Sequence, residues 1–417
     1  MARIASPDGP SFRLALGQRL TGTMAAMASS RGWLISQANL RRLLGLLWLA
    51  DGLFLLEPRM LTQGGPILSP IVDGQPALVH HNLAAIARFT AANPSLVAVA
   101  AASVQIEIGI LLLLGKYIRP ILVASIIWSA VVWLAGEGLD GLLTGQAGIL
   151  TGAPGPVIFY AFLALAVYER RLTAGATPSA WLDRARLVSC VLALWVLGIW
   201  FAGEVAGKIF TGRAAALEYV PGTIVAVVTV VLIVFPWRVL GRSNRPVALG
   251  RAQLRYLLGV IWICLALLQA QGFWWQPGQI GREIQGQTGQ GGLDGIVLDP
   301  LIRGIGGAVA RGDWTPNLVL FLLCLAIGLL LLLAGWERMR MVLAASIGVA
   351  LAVWVFGEAL GGTLTGATTD FNSGLMLVVL AMACWPLGST KSDPLTHPIG
   401  ALNGQGNTLG RRPFELV

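Results

Sequence analysis

Charge is what this sequence has least of. Asp, Glu, Lys and Arg make up 12% of its 417 residues, where soluble domains carry about a quarter, so there is too little polar surface to coat a water-soluble core. Histidine occurs only as His80, His81 and His397. Neighbouring histidines on a helix project about 100° apart and do not readily share a metal. With His397 in the tail, haem held by paired membrane histidines is excluded and a surface role for His80 and His81 is favoured. The four cysteines, Cys190, Cys264, Cys324 and Cys384, sit in or at the edges of apolar segments with no CxxC spacing, and read as small buried residues. There is no Walker loop, dinucleotide fingerprint or HExxH. The Gly-rich run Gln285–Gly295 lacks the Gly-Lys-Ser/Thr that would make it a phosphate cradle. Residues 1–40 are polar and Arg-bearing, without the compact apolar core and cleavage site of a removable signal peptide.

Long apolar runs are what the chain has in abundance. It is 56% hydrophobic with a mean hydropathy of +0.74; Leu320–Leu333 is apolar all round and Ile224–Phe235 is broken only by Thr229. A helix apolar on every face needs lipid, not water, around it. Lipid offers no hydrogen-bond partners, so spanning segments are helices or closed barrels, and runs without strict alternation choose helices. The pattern predicts an all-α polytopic membrane protein with about ten spans, near 42–60, 95–115, 119–137, 156–170, 187–205, 220–237, 255–274, 317–335, 341–359 and 373–388. The net charge of +9 and pI near 10.0 do not point to nucleic acid, because the basic residues are spread through short loops. Of the 29 Lys and Arg residues, 22 fall on the even-loop side, which predicts an inner-membrane protein with both termini in the cytoplasm.

Comparison of the chain with itself adds an internal repeat. Arg41-Arg42-Leu43-Leu44-Gly45-Leu46-Leu47-Trp48 aligns with Arg255-Tyr256-Leu257-Leu258-Gly259-Val260-Ile261-Trp262. Ile108-Gly109 then aligns with Ile327-Gly328, and Ala124-Ser125-Ile126 with Ala345-Ser346-Ile347. This divides the chain into a tail (1–40), a four-helix unit (41–172), a central hairpin (185–240), a second four-helix unit in parallel orientation (255–388) and a second tail (389–417). A further motif, Trp-x-x-Gly-Glu-x(6)-Thr-Gly, occurs three times: at Trp133 to Gly145, Trp200 to Gly212 and Trp354 to Gly366.

The motif supports two readings. In one, Trp133, Trp200 and Trp354 belong to an interfacial aromatic belt, while Glu137, Glu204 and Glu358 reach headgroups or cap a neighbouring loop. In the other, the three glutamates share a polar pocket near the outer leaflet, where they bind a cation, relay protons or hydrogen-bond a quinone-like headgroup. The spacing predicts that each helix runs on beyond its Glu and is capped at Thr-Gly. Asp51 and Glu107 correspond to Leu265 and Ala326 in the second unit. They are candidates for a site confined to the first unit, or a buried pair held with Gln105.

The Arg-x-x-x-Gly first span, Glu107-Ile108-Gly109 with its Leu-rich run to Gly115, and the overall spacing resemble the DoxX/DoxD family of four-span membrane proteins, over about two thirds of the chain. The resemblance implies a non-haem membrane subunit of a redox system, with quinone as the accommodated cofactor, a redox protein and the lipid bilayer as partners, and Glu107 at the matching position. Duplication, the extra hairpin and the Trp-Gly-Glu motif depart from the family pattern. A transporter using pseudo-symmetric halves and a structural or assembly factor are the alternatives.

Overall fold

The computed structural model describes residues 34–67, 69, 71–168, 222, 224–226, 228–229, 249–289 and 294–386. Apart from a few residues near 225, the central hairpin with Trp200 and Glu204 lies outside them, as do most of both tails. The described residues are helical, with no strand among them.

Helix α1 (Gln37–Phe54) begins at Ser36, whose hydroxyl accepts the Asn39 N–H at 3.2 Å and so satisfies one of the free first-turn donors. It stops short of the expected residue 60 because Pro58 lacks an N–H and biases its predecessor away from helix; a separate helix, α2 (Pro58–Ile67), starts there. Next come α3 (Ala77–Ala92), α4 (Pro94–Leu114), α5 (Ile118–Val131) and α6 (Pro156–Val167). The second half supplies α7 (Arg251–Gln269), α8 (Gln279–Gly286), α9 (Asp299–Ala310), α10 (Thr315–Leu333), α11 (Trp336–Ala352) and α12 (Asn372–Ala383).

Four stretches are long and apolar enough to cross a bilayer: 94–114, 118–136, 315–333 and 338–357. Only 28–33% of each is buried within the protein. Leu96, Leu114, Ile127, Leu322, Leu330 and Leu333 point outward, a surface that water would penalise and lipid would not. By contrast, every residue of α6 is buried, and α12 is nearly so. These two short apolar helices touch one another and form the centre of the bundle.

Glycine sets the closest helix crossings. A Cβ on Gly109 of α4 would lie 2.8 Å from the Gly45 carbonyl oxygen and 2.8 Å from the Leu49 nitrogen of α1. A Cβ on Gly328 of α10 would lie 2.8 Å from the Gly259 carbonyl oxygen of α7. Small residues of this kind let backbones approach where lipid gives no hydrophobic drive to association. Other contacts recur at matched positions. The Trp48 indole donates to Ser125 Oγ at 2.8 Å, and Trp262 to Ser346 Oγ at 2.9 Å. Gln37 donates to the Val167 carbonyl at the end of α6, and Arg251 to the Ala383 carbonyl at the end of α12.

These crossings make a direct prediction. Gly109→Ala pushes a methyl into backbone that cannot yield, and it should lower the unfolding free energy of the detergent-purified protein by about 1–3 kcal/mol. Gly348→Ala, where nothing lies within 4 Å, should leave the thermal midpoint unchanged or slightly raised.

Candidate functional site

Helices α5 and α11 end differently from the expectation that each helix continues past its glutamate. Both widen into a single π turn, Val132–Gly136 and Val353–Gly357. The Glu137 N–H closes that turn on the Val132 carbonyl at 2.8 Å and Glu358 does so on Val353 at 3.0 Å. The chain then leaves the helix through left-handed residues: Gly138, Leu139, Asp140 and Gly141 in one copy, Ala359, Leu360, Gly361 and Gly362 in the other. Non-glycine residues there are strained, and this strain turns the backbone sharply after each glutamate. The Thr-Gly pair therefore builds a separate turn and caps no helix. Thr144 Oγ1 donates to the Gly141 carbonyl and accepts from Gln146 N–H; Thr365 Oγ1 does the same with Gly362 and Ala367.

The motif's Trp and Glu both face the start of the next helix. Trp133 donates to the Pro154 carbonyl at 2.7 Å and Trp354 to the Phe371 carbonyl at 2.8 Å, tying the incoming loop to the preceding helix. Glu358 Oε2 accepts the Gly374 N–H at 2.9 Å in the first turn of α12, a favourable place for a carboxylate. Glu137 is placed alike, its Oε2 2.4 Å from where a Cβ on Gly155 would stand. Both Glu137 carboxyl oxygens are buried without a hydrogen bond of good geometry, the Val157 N–H at the head of α6 being the nearest donor acting on them.

Glu137 also opens into a cavity of about 440 Å³. Asp51, Asp140 and Asp370 line the same space, together with Gln105, Trp128 and an apolar wall that includes Leu55, Ile86, Val97 and Val157. Among the described residues, no Lys, Arg or His lines it. Asp51 is 1% exposed and Gln105 5%. Neither oxygen of Asp51 has a hydrogen-bond partner, nor does Gln105 Oε1, Asp140 Oδ2 or the Trp128 indole nitrogen. The Tyr160 hydroxyl is near enough to Asp51 to interact with it, without ideal hydrogen-bond geometry. Asp370 is better provided for: Thr369 donates to Oδ2 at 2.7 Å and the Asn372 N–H to Oδ1 at 2.7 Å.

Burial pushes the Asp140 carboxyl well above the usual carboxylate range, and the neighbouring charge of Asp370 adds to the effect. Asp370 is also pushed up by burial, against the opposing pull of Thr369 and the Asn372 N–H. Both shifts follow from taking an acceptor-only charged group out of water without a cation.

Of the sequence candidates, Asp51 and Glu137 share this cavity. Glu358 is outside its lining, though close enough to feel Asp140 and Asp370. Trp133 and Trp354 brace the loops, and Trp200 and Glu204 lie outside the described residues. Glu107 is exposed on the outer face of α4. Residues two apart on a helix project about 200° apart, so Gln105 facing the cavity turns Glu107 away from it, and Asp51 and Glu107 are not brought together. His80 and His81 are both exposed.

Sequence reasoning missed Asp140 and Asp370. Asp140 aligns with Gly361, so the argument that singled out the unmatched acids Asp51 and Glu107 applies equally to it. Asp370 carries only the signal of an Asx turn before a helix. Among the described residues, no group of three His, Cys, Asp or Glu is placed to hold a metal ion. Comparison of the chain with protein-family models, with curated proteins and with solved structures finds no match.

The Asp140 shift fixes the sign of a pH effect. A carboxyl raised above its ordinary 3.8 keeps its proton in the fold after the unfolded chain has lost it. Its contribution is therefore most favourable at low pH and is lost as pH climbs from 3.8 through the raised value. The thermal midpoint of the purified protein should fall as pH rises above the ordinary carboxyl value, and Asp140→Asn should make that fall shallower.

Proposed function

We propose that the chain is a ten-span inner-membrane carrier for a small solute, with protons moving through the acid cavity in step with it. In this reading the units 41–172 and 255–388 are two parallel copies of one four-helix fold joined by the hairpin 185–240. Both termini lie in the cytoplasm and the cavity is reached from the outer face. The single observation that carries it is the set of four acidic side chains around one cavity with no basic residue among the described lining. A group of that kind is expensive inside a membrane and marks ion, proton or solute paths.

Three further facts support the reading. The cavity is walled by both halves of the chain, Asp51 to Val157 on one side and Gly361 to Asn372 on the other, as carriers built from repeats place their sites. The Gly, Trp–Ser and helix-end contacts recur at matched positions in the two halves. The 22-to-7 division of basic residues between alternate loops favours the stated orientation.

The quinone-linked redox subunit is the second reading. It is favoured by the unpartnered indole N–H of Trp128 beside protonatable carboxyls and an apolar wall, groups that suit a ring bearing two carbonyl oxygens. Here the isolated chain would turn nothing over without a redox partner protein.

Proteoliposomes of the full-length protein separate the two. Incubated with the small-molecule pool of a cell extract under an imposed pH difference, they should accumulate at least one solute over protein-free vesicles, as read by mass spectrometry of their contents. Glu137→Gln or collapse of the pH difference should abolish the gain. No accumulation, with quinone reduction appearing once a membrane-extract fraction is added, would favour the redox subunit and contradict the carrier.

A further inference from the structure

The cavity's hydrogen-bond inventory is lopsided. Among the described residues, six buried oxygen atoms around it lack a hydrogen bond of good geometry, on Asp51, Gln105, Glu137 and Asp140, with the Tyr160 hydroxyl and the Val157 N–H the nearest donors, whereas the one buried unpartnered donor on the lining is the Trp128 indole. Ionised carboxylates and an amide oxygen are acceptors only. A ligand that satisfies them must therefore bring donors, and to offset the acids it must bring positive charge.

Two observations narrow the class. Among the described residues no three ligating groups converge on a point, so a bare divalent ion, which needs many oxygens at one short distance, is poorly served by them. The volume of about 440 Å³ and the wall of Ile86, Val97 and Val157 suit a body larger than an ion and partly apolar. An ammonium group offers three N–H donors on one small cation, which matches the surplus. Buried Gln105, 5% exposed and with its oxygen unpartnered, supplies a neutral acceptor beside the acids.

We propose that the cavity binds an organic ammonium ion with a short apolar body, which enters as protons leave the carboxyls. The inference rests on the carrier reading and names its substrate class. The exchange balances: a carboxylic acid in the cavity gives up a proton to solvent, and the ammonium takes its place beside the resulting carboxylate. The titratable groups facing the bound cation are Asp51 from α1, Glu137 and Asp140 from the first loop, and Asp370 from the second, with the Tyr160 hydroxyl of α6 behind Asp51. Glu358 lies outside the lining and is the acid on which Asp140 and Asp370 act in turn.

The test is calorimetric binding to the full-length protein in lipid nanodiscs, with phenethylamine as the probe and 2-phenylethanol as its neutral counterpart. Phenethylamine should bind, and with one proton released its affinity should rise about tenfold per pH unit while the carboxyls hold protons. Buffers of different ionisation enthalpy should register that proton. The alcohol should bind at least about tenfold more weakly. Asp51→Asn and Glu137→Gln should each lose binding while keeping a cooperative thermal transition, and Glu107→Gln should bind as the wild type does. Equal binding of amine and alcohol, or amine affinity that ignores pH, overturns the inference without using any variant. Solute accumulation in the proteoliposomes with no amine binding sinks the ammonium assignment and leaves the carrier intact; absence of both removes the carrier as well.

Discussion

A carboxyl group carried into a helical bundle must meet a positive charge, accept enough hydrogen bonds, or keep its proton, because the cost of an isolated buried charge is too large to bear. This chain places Asp51, Glu137, Asp140 and Asp370 around one space and lines that space with no basic side chain among the described residues. Only Asp370 receives two donors. The sharp exits after Glu137 and Glu358 and the tryptophan braces fix the loops that carry Asp140 and Asp370 beside the cavity.

The two matched segments show how one local design serves two ends. After each π turn the backbone passes through left-handed residues and a Thr-Gly turn, and a tryptophan ties the returning loop to the helix it left. In the second segment the glutamate completes the design by accepting the Gly374 N–H at the head of α12. In the first segment Glu137 meets the head of α6 through the Val157 N–H without good hydrogen-bond geometry, and it also faces the cavity. Asp51 and Asp140, whose counterparts are Leu265 and Gly361, complete the difference. The glutamate that only caps a helix head in one half also lines a cavity in the other.

Much of the helical pattern was legible because apolar runs and prolines speak locally. Leu320–Leu333 is apolar on every face and lies in a helix long enough to cross a bilayer, and Pro94, Pro156 and Pro316 stand within the first turns of helices, where a missing N–H costs nothing. The exits after Glu137 and Glu358 were not legible. Trp-x-x-Gly-Glu has helical spacing, and nothing local says that the turn widens to π or that Leu139 and Leu360 adopt positive φ. The cavity was half legible: Asp51 and Glu137 stood out as charges in apolar surroundings, whereas Asp140 and Asp370 looked like ordinary polar loop. Their meeting depends on two segments about 230 residues apart, which no local pattern encodes. Glu107 failed to join them because a helix turns about 100° per residue, and its face is decided by packing between α4 and α1.

Without a cation beside them, the cavity acids must be neutral at rest. Infrared spectroscopy of the purified protein in nanodiscs reads this directly through the carbonyl stretch of protonated carboxyl groups. At about pH 7, well above the ordinary carboxyl range, the wild type should show that absorption, and Asp140→Asn and Glu137→Gln should each diminish it. A spectrum of ionised carboxylates alone, unchanged in both variants, would mean that a counter-charge already sits beside these acids and would contradict the account.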